Sequence, residues 1–470
     1  MTPAAPRPFL TVAALLAAVA LGRAVQFGNG GFTPDAVEWL AGACLLVLAG
    51  WLLPPWERLA KREQLVLAVI AALALAYQFS ILSSSPPAIY LQARVPDPWK
   101  TFQAGIGVAA VLSGIALSSD RLIQRLALVG LVITYLVVGK WLIFTSPQPA
   151  IDVWYIHRDS VNALVQGINP YTLTFPNIYG DGRFFGPGMV ENGRLMFGYT
   201  YPPLSLLLSV PAQLIGGDYR YALLACNALT AVFLATARPS RLATLAAALF
   251  LFTPRSFFVL EQGWTEPVLL AAAAAVGFCA LRFPRALPWA AGVMLASKQY
   301  AFLLAPALLL LPEVRRDRRS FLIFAGKAVG TAAALTLPFL LWDPKAFVHS
   351  VFLVQLGLPF RSDAMNFSAW WVQRGGSPPP GVLGFLMLIP PLVAMRFRAA
   401  RDAGGMGIAA ATTMLCFVIF NRQAFCNYYF LILGLFLLGA AWTFPLDEAP
   451  SAAPSATVSP SGKSDQPAAS

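Results

Sequence analysis

Charge is what this chain lacks. Asp, Glu, Lys and Arg make up 11% of its 470 residues and hydrophobic side chains 58%, whereas an ordinary soluble domain is about a quarter charged. That excludes a soluble globular protein, and no polar stretch is left over for a separate soluble catalytic domain. Histidine is nearly absent, at two in the whole chain. The five cysteines, Cys44, Cys226, Cys279, Cys416 and Cys426, lie within or beside apolar segments without paired metal-ligand spacing, so they read as small core residues and no disulfide is inferred. Glycine-rich phosphate loops of the GxGxxG or GxxxxGK type are missing, which argues against a nucleotide-gripping domain. There is no clear internal repeat. The formal charge of +12 comes from Lys and Arg in short loops rather than from basic patches interleaved with aromatics, so nucleic acid is not the partner.

What is abundant is apolar sequence. Runs long enough to cross a bilayer, roughly 20 residues each, recur from end to end, and only helices fit them. The fold class expected is all-α: a polytopic transmembrane bundle of about 13 to 15 membrane segments, with an extracytoplasmic loop carrying an interfacial amphipathic helix. Residues 9–27, behind Arg7, read as an uncleaved first span. Further spans are predicted near 37–53, 65–82, 102–117 and 126–144. The loops with Arg58, Lys61 and Arg62, with Arg121 and Arg125, and at 282–285, 315–319 and 396–401 are basic and should face the cytoplasm. That parity puts 151–201, GWTEP, WDPKAFVHS and NRQAFCNYY outside. One conflict remains between Tyr201 and Arg241, where two apolar runs would carry Arg238 and Arg241 outside unless one run is short or re-entrant. The division expected is 1–125 as amino-terminal spans, 126–444 as a catalytic membrane domain with external loop 146–200, and 445–470 as a disordered, Ala/Ser/Pro-rich cytoplasmic tail.

The longest polar interval, 151–201, is where chemistry is expected. Residues 152–168 read as one amphipathic helix: Trp154, Val161, Leu164, Val165 and Ile168 recur at helical spacing, and Asp152, Tyr155, Asp159, Asn162 and Gln166 gather opposite. Gly167 ends the helix and Asn169-Pro170 keeps it from resuming. Such a helix lies along a membrane surface with its carboxylates toward water. Asp152, at its start, is placed either as general base for an incoming hydroxyl or as a helix cap. Asp159, two turns on, can orient an acceptor, share a divalent ion with Asp152 or keep the face wet. Two carboxylates without clustered partners speak more for hydration than for metal, and no metal ligands are assigned. His157 reads as an interfacial residue.

Lys298, in SKQYAFLLAP, and Arg422, in NRQAFCNYY, stand between runs with almost no other charge. A cation there is costly unless it faces a cavity or a partner. A phosphate at the membrane edge is one such partner; snorkelling to the interface is the alternative. Glu261 and Glu266, in LEQGWTEPVLL, form an external acidic pair able to hold sugar hydroxyls beside a stacking Trp264, or else a solvated turn. Asp159, Tyr201 and Glu266 are the candidates for binding acceptor or sugar.

An Asp after a span, an amphipathic helix ending in GINPY, then YTYPPLSLLL, SKQYAFLLAP and NRQAFCNYYF, in that order, resemble membrane glycosyltransferases of the GT-C superfamily, especially bacterial polyprenyl-phosphate-mannose-dependent enzymes. The resemblance runs over residues 126–442 and does not reach the first 114 or so. It implies a multi-pass protein of the cytoplasmic (inner) membrane that performs an inverting transfer, on the extracytoplasmic side, of mannose or another hexose from a polyprenyl-phosphate donor to a hydroxyl of a glycan or lipid acceptor. Asp152 matches the family's first-loop carboxylate as base, and Lys298 and Arg422 are candidates to hold the donor phosphate. The chain departs from relatives with two adjacent acids in that loop, since Asp152 is flanked by Ile151 and Val153. No cofactor is firmly implied, and a divalent cation stays open. A transporter or flippase of lipid-linked sugars would use similar charges but is expected to show inverted repeats; a polysaccharide ligase would transfer a whole glycan.

Overall fold

The computed structural model describes residues 8–53, 60–95, 97–180 and 182–443. Arg58 and the tail 445–470, both assigned to the cytoplasm above, lie outside the described residues. The chain is almost wholly helical: α1 (Pro8–Gln26), α2 (Pro34–Leu52), α3 (Ala60–Ser84), α4 (Pro98–Ile115), α5 (Arg121–Thr145), α6 (Asp152–Val165), α7 (Leu204–Gly216), α8 (Arg220–Ala237), α9 (Arg241–Leu251), α10 (Ser256–Gln262), α11 (Glu266–Arg282), α12 (Leu287–Leu295) and α13 (Arg318–Trp342). Short turns α14 (Pro344–Val348), α15 (Val354–Gly357), α16 (Phe367–Val372), α17 (Val382–Leu386) and α18 (Ile389–Arg398) lead to α19 (Ala403–Val418) and α20 (Cys426–Trp442). Side-chain caps start many of them: Thr33, Asp97, Asp120, Ser240, Asp317 and Asp402 each accept a backbone N–H of the first turn.

Six helices among the described residues are long and apolar enough to cross a membrane, seven if α9 and α10, bent by 47° at their junction, form one broken span. Four shorter apolar segments, α7, the 3₁₀ stretch Gln299–Leu310, α19 and α20, add to the bundle. The protein is a polytopic helical membrane protein. By length the count falls below the 13 to 15 expected because apolar runs are cut short. Pro211 and Pro306 interrupt two of them, and the α9–α10 break is made at Arg255, a non-glycine residue at φ 66°.

The bundle has two chemically distinct ends. At one, the buried Arg220 pairs with Asp218 at 2.6 Å and donates to the carbonyls of Glu261 (3.2 Å) and Ile143 (3.5 Å). At the other, Arg238 donates to the Trp442 carbonyl at 2.5 Å, Arg282 to that of Thr236 at 3.3 Å and Arg398 to that of Trp51 at 2.6 Å. The conflict between Tyr201 and Arg241 resolves here. Tyr199, before α7, and Tyr219, after it, both touch His157. So α7 begins and ends at the same end; with 13 residues it is too short for the roughly 20 a crossing needs. Only α8 crosses, and Arg238 and Arg241 join Arg282 at the basic end.

α1 packs against α2 and α20, and α3 against α9, so the amino-terminal helices share one core with the rest. In the interval between α6 and α7 a small antiparallel sheet forms, β1 (Phe175–Pro176), β2 (Val190–Glu191) and β3 (Arg194–Leu195), in order β1-β3-β2. Asn192 (φ 49°) and Gly193 (φ 73°) make the tight turn between β2 and β3.

Candidate active site

The site is built on α6. Its carboxyl end closes as the spacing predicts: Gly167 takes φ 75°, its N–H donates to Leu164 and that of Ile168 to Ala163, the paired bonds of a Schellman motif. The buried face overlaps the expected one in Trp154, Val161 and Leu164 and is rotated away from the rest. Trp154, Ile156, His157, Ser160, Val161 and Ala163 are covered, whereas Val165 and Ile168 are each 46% exposed. The helix is covered by protein, α7 and the start of α8, and this turns its polar-looking His157 inward. The imidazole lies between Ser209 (Nε2, 2.9 Å) and the Tyr199 hydroxyl (Nδ1, 3.1 Å) and stacks on the Tyr219 ring at 4.1 Å. Burial, with the charge of Lys298 nearby, lowers its pKa to about 3, so His157 is a neutral cross-brace, not an interfacial residue.

Asp152 is the first residue of α6, behind an extended Ile151 whose side chain makes no cap. The Asp152 carboxylate accepts the Val153 N–H at 2.8 Å, a free first-turn donor as the capping alternative expects, and also the Tyr179 hydroxyl at 3.1 Å, which capping does not require. It is half-buried. Burial pushes its carboxyl above the usual carboxylate range, against the opposing pull of those two hydrogen bonds and of the Arg361 guanidinium. Arg361 is itself held in a fork with Asp363 at 2.6 and 2.7 Å, sandwiched by the rings of Phe184 (4.3 Å) and Phe425 (4.8 Å).

Glu261 holds the link that leads to Asp152, and here the sequence expectation is corrected. Glu261 is fully buried and does not pair with Glu266. It receives the N–H groups of Ile89 and Tyr90, each at 2.9 Å, the Ser146 hydroxyl at 2.8 Å and the Gln262 amide at 3.2 Å. The Tyr90 hydroxyl in turn donates to Ala150 at 3.0 Å. Glu261 thus fastens the loop before α4 to the link that leads into α6.

Glu266, at the start of α11, has different company. Its Oε1 is the acceptor for the Lys298 ammonium, for the Tyr300 hydroxyl at 2.6 Å and for the Asn427 amide at 2.7 Å, while its buried Oε2 has no partner. The lone cation Lys298 is therefore paired, not snorkelling. Its ammonium also lies 4.6 Å from the Tyr201 ring centre, and the Tyr201 hydroxyl feels both Glu266 and Asp152. Gln299 ties this segment to the carbonyls of Thr200 and Val351.

Asp152, Tyr201, Glu266 and Lys298 are thus brought to one region, which also gathers Tyr179, Tyr300, Asn427 and Arg361. Tyr300 and Asn427 sit inside the same SKQY and CNYY strings that singled out Lys298 and Arg422, a signal that was available. Tyr179 and Arg361 had none, one in an aromatic loop and the other among many arginines. Asp159 does not join Asp152. It pairs with Arg158 at 2.7 Å and faces an open groove farther along the same side of α6. Arg422 is exposed, donates to the Leu356 carbonyl at 3.3 Å, and its own carbonyl receives the Arg361 N–H at 3.0 Å. Trp264 sets its edge against Phe258. Among the described residues no three His, Cys, Asp or Glu side chains gather as a metal-holding group.

No protein-family model matches the chain, and no curated protein matches it. Among solved structures it is similar to ArnT from Cupriavidus metallidurans, crystallised with undecaprenyl phosphate, at 17% identity and a TM-score of 0.39. The match covers 67% of this chain and 60% of that one, so the chain spans less than two thirds of its neighbour's length.

Proposed function

We propose that this protein is a membrane glycosyltransferase that moves a sugar, mannose or another hexose, from a polyprenyl-phosphate donor to an acceptor hydroxyl, with inversion. The observation that carries the reading is Asp152: a half-buried carboxylate at the head of α6, hydrogen-bonded by the Tyr179 hydroxyl, raised in pKa by burial and within the field of the Arg361 charge. A base whose pKa is lifted toward working pH takes a hydroxyl proton more readily. As the acceptor oxygen bonds to the anomeric carbon, its proton passes to Asp152. The bond from that carbon to the phosphate oxygen breaks, and its electron pair leaves with the polyprenyl phosphate. Arg361, with Arg422 and Lys298, supplies positive charge to the departing phosphate. Glu266, with one oxygen engaged and one bare, is the acceptor for a sugar hydroxyl, and Tyr201 lines the same space.

Sidedness follows from charge. The end holding Arg238, Arg282 and Arg398 faces the cytoplasm under the positive-inside rule, which leaves Asp152 on the extracytoplasmic face of the inner membrane. A donor embedded in lipid suits a chain with no nucleotide-gripping loop.

The test is transfer by purified protein in lipid nanodiscs, with a panel of labelled polyprenyl-phosphate sugars that includes mannose and a mixed pool of glycan and lipid acceptors. Asp152→Asn should lower transfer by about 10²–10⁴-fold while donor binding persists. Near-normal turnover in that variant removes Asp152 as base. Movement of lipid-linked sugar between leaflets, with no transfer by either protein, would favour the flippase.

A further inference from the structure

The water-facing stripe of α6 runs on past the reacting centre. Asp152, Tyr155, Asp159, Asn162 and Gln166 fall within an arc of roughly 80° at 3.6 residues per turn, and none of them is buried. At about 1.5 Å per residue the stripe extends some 20 Å from Asp152 to Gln166. Its far half forms one wall of a groove of about 350 Å³, lined by Asp159, Asn162 and Gln166 on the helix and by Thr174, Phe175 and Arg194 opposite. That opposite wall is fixed. Arg194, on β3, donates to the Thr174 hydroxyl at 3.0 Å and to its carbonyl at 2.7 Å, and β3 pairs with β1.

The helix wall carries unspent hydrogen-bonding capacity. Among the described residues nothing engages the side-chain amides of Asn162 and Gln166, each of which offers donors and an acceptor together. Between them and Asp152 stands the Tyr155 ring, with the Arg158 guanidinium 5.2 Å from its centre and the Trp154 ring edge-on at 5.0 Å. Paired donor-acceptor groups, a fixed aromatic and one carboxylate already neutralised by Arg158 match a neutral polyhydroxylated chain. An apolar tail would strand the amides.

We propose that the groove between α6 and the small sheet is an acceptor subsite for a linear neutral oligosaccharide, whose terminal hydroxyl lies at Asp152 and whose preceding units run along Tyr155, Asn162 and Gln166. The proposal rests on the transferase reading and narrows it: the acceptor is a growing glycan, since a single sugar or a lipid hydroxyl at Asp152 leaves the groove unused.

Binding is measured separately from turnover, by saturation-transfer NMR and calorimetry on the nanodisc-embedded protein. The probes are malto-, cello- and manno-oligosaccharide ladders from monosaccharide to hexasaccharide. At least one ladder should bind progressively more tightly with length and then level off. In Asn162→Ala and Gln166→Ala the gain with length should shrink by about three- to tenfold, the worth of one hydrogen bond, with unchanged thermal unfolding midpoints. Asp152→Asn should retain the length dependence. Length-independent binding in all three ladders, or a gain with length untouched by both alanine variants, overturns the subsite. Length-dependent binding without transfer to any acceptor keeps the subsite and sinks the transferase; transfer that is indifferent to acceptor length does the reverse.

Discussion

Glu261 and Glu266 flank one turn of the chain, and both are fully buried, yet their surroundings differ. Glu261 receives four donors spread over both oxygens, two of them backbone N–H groups. Glu266 receives three donors on one oxygen and none on the other. A fully satisfied carboxylate ties segments together. One that keeps a bare buried oxygen has left free energy for a ligand to recover. On the proposed reading, the difference separates architecture from chemistry within a few residues of sequence.

The largest effect should come from Glu266→Gln, which leaves the Lys298 charge buried and unpaired. Stability should drop by about 3–5 kcal/mol, read as a lower unfolding midpoint in detergent. Adding Lys298→Met should restore most of it, as the charges are removed together, without restoring transfer. Recovered transfer in the double variant would take Glu266 out of sugar binding.

Glu261→Gln is the counterpart. It disturbs the two backbone donors and should cost about 1–3 kcal/mol, while turnover per folded molecule falls far less than in the Glu266 variant. Equal losses of turnover would erase the distinction between the two carboxylates.

The smallest stability effect is expected at Arg361. Its fork with Asp363 is partly exposed, so Arg361→Gln should cost about 1 kcal/mol or less. The informative readout is the pH profile. Transfer rises with pH as Asp152 ionises, at a pKa above the ordinary carboxylate value of about 3.9. Stability runs the other way. The folded value is raised, so the native state holds its proton more tightly, and stability falls as pH climbs from the unfolded pKa through the folded one. Removing Arg361 takes away a cation that holds the Asp152 pKa down, and the acid limb should move to higher pH. An unmoved limb would place Arg361 too far away to matter.

Much of the frame was legible from local rules. α6, its stop at Gly167 and the turn at Asn169-Pro170 follow from periodicity and turn chemistry, and Lys298 stood out because a cation among apolar runs demands a partner. Which partner was not legible, because the bond to Glu266 joins segments that touch only in the folded bundle. Periodicity placed the apolar face of α6 only in part: Trp154, Val161 and Leu164 turn inward, Val165 and Ile168 do not. It treats His157 and Ser160 as polar, yet His157 is satisfied from two sides by Ser209 and Tyr199 and so can be buried. Glu261 looked like a sugar ligand because nothing local reveals that the distant loop at Ile89 and Tyr90 folds back onto it. Arg361 carries no local motif, and only the folded chain brings its charge to bear on Asp152.

α7 has a consequence for how such a chain can change over time. A segment that dips and returns adds an even number to the tally of sides, so lengthening, shortening or losing it leaves every later loop on the face it already occupies. Losing α8 would invert everything from Arg238 onward and turn Glu266, Lys298 and Arg422 away from Asp152. The stretch beside Asp152 is therefore free to vary in size, and the space around that carboxylate can be remodelled without disturbing the topology that brings the charges together.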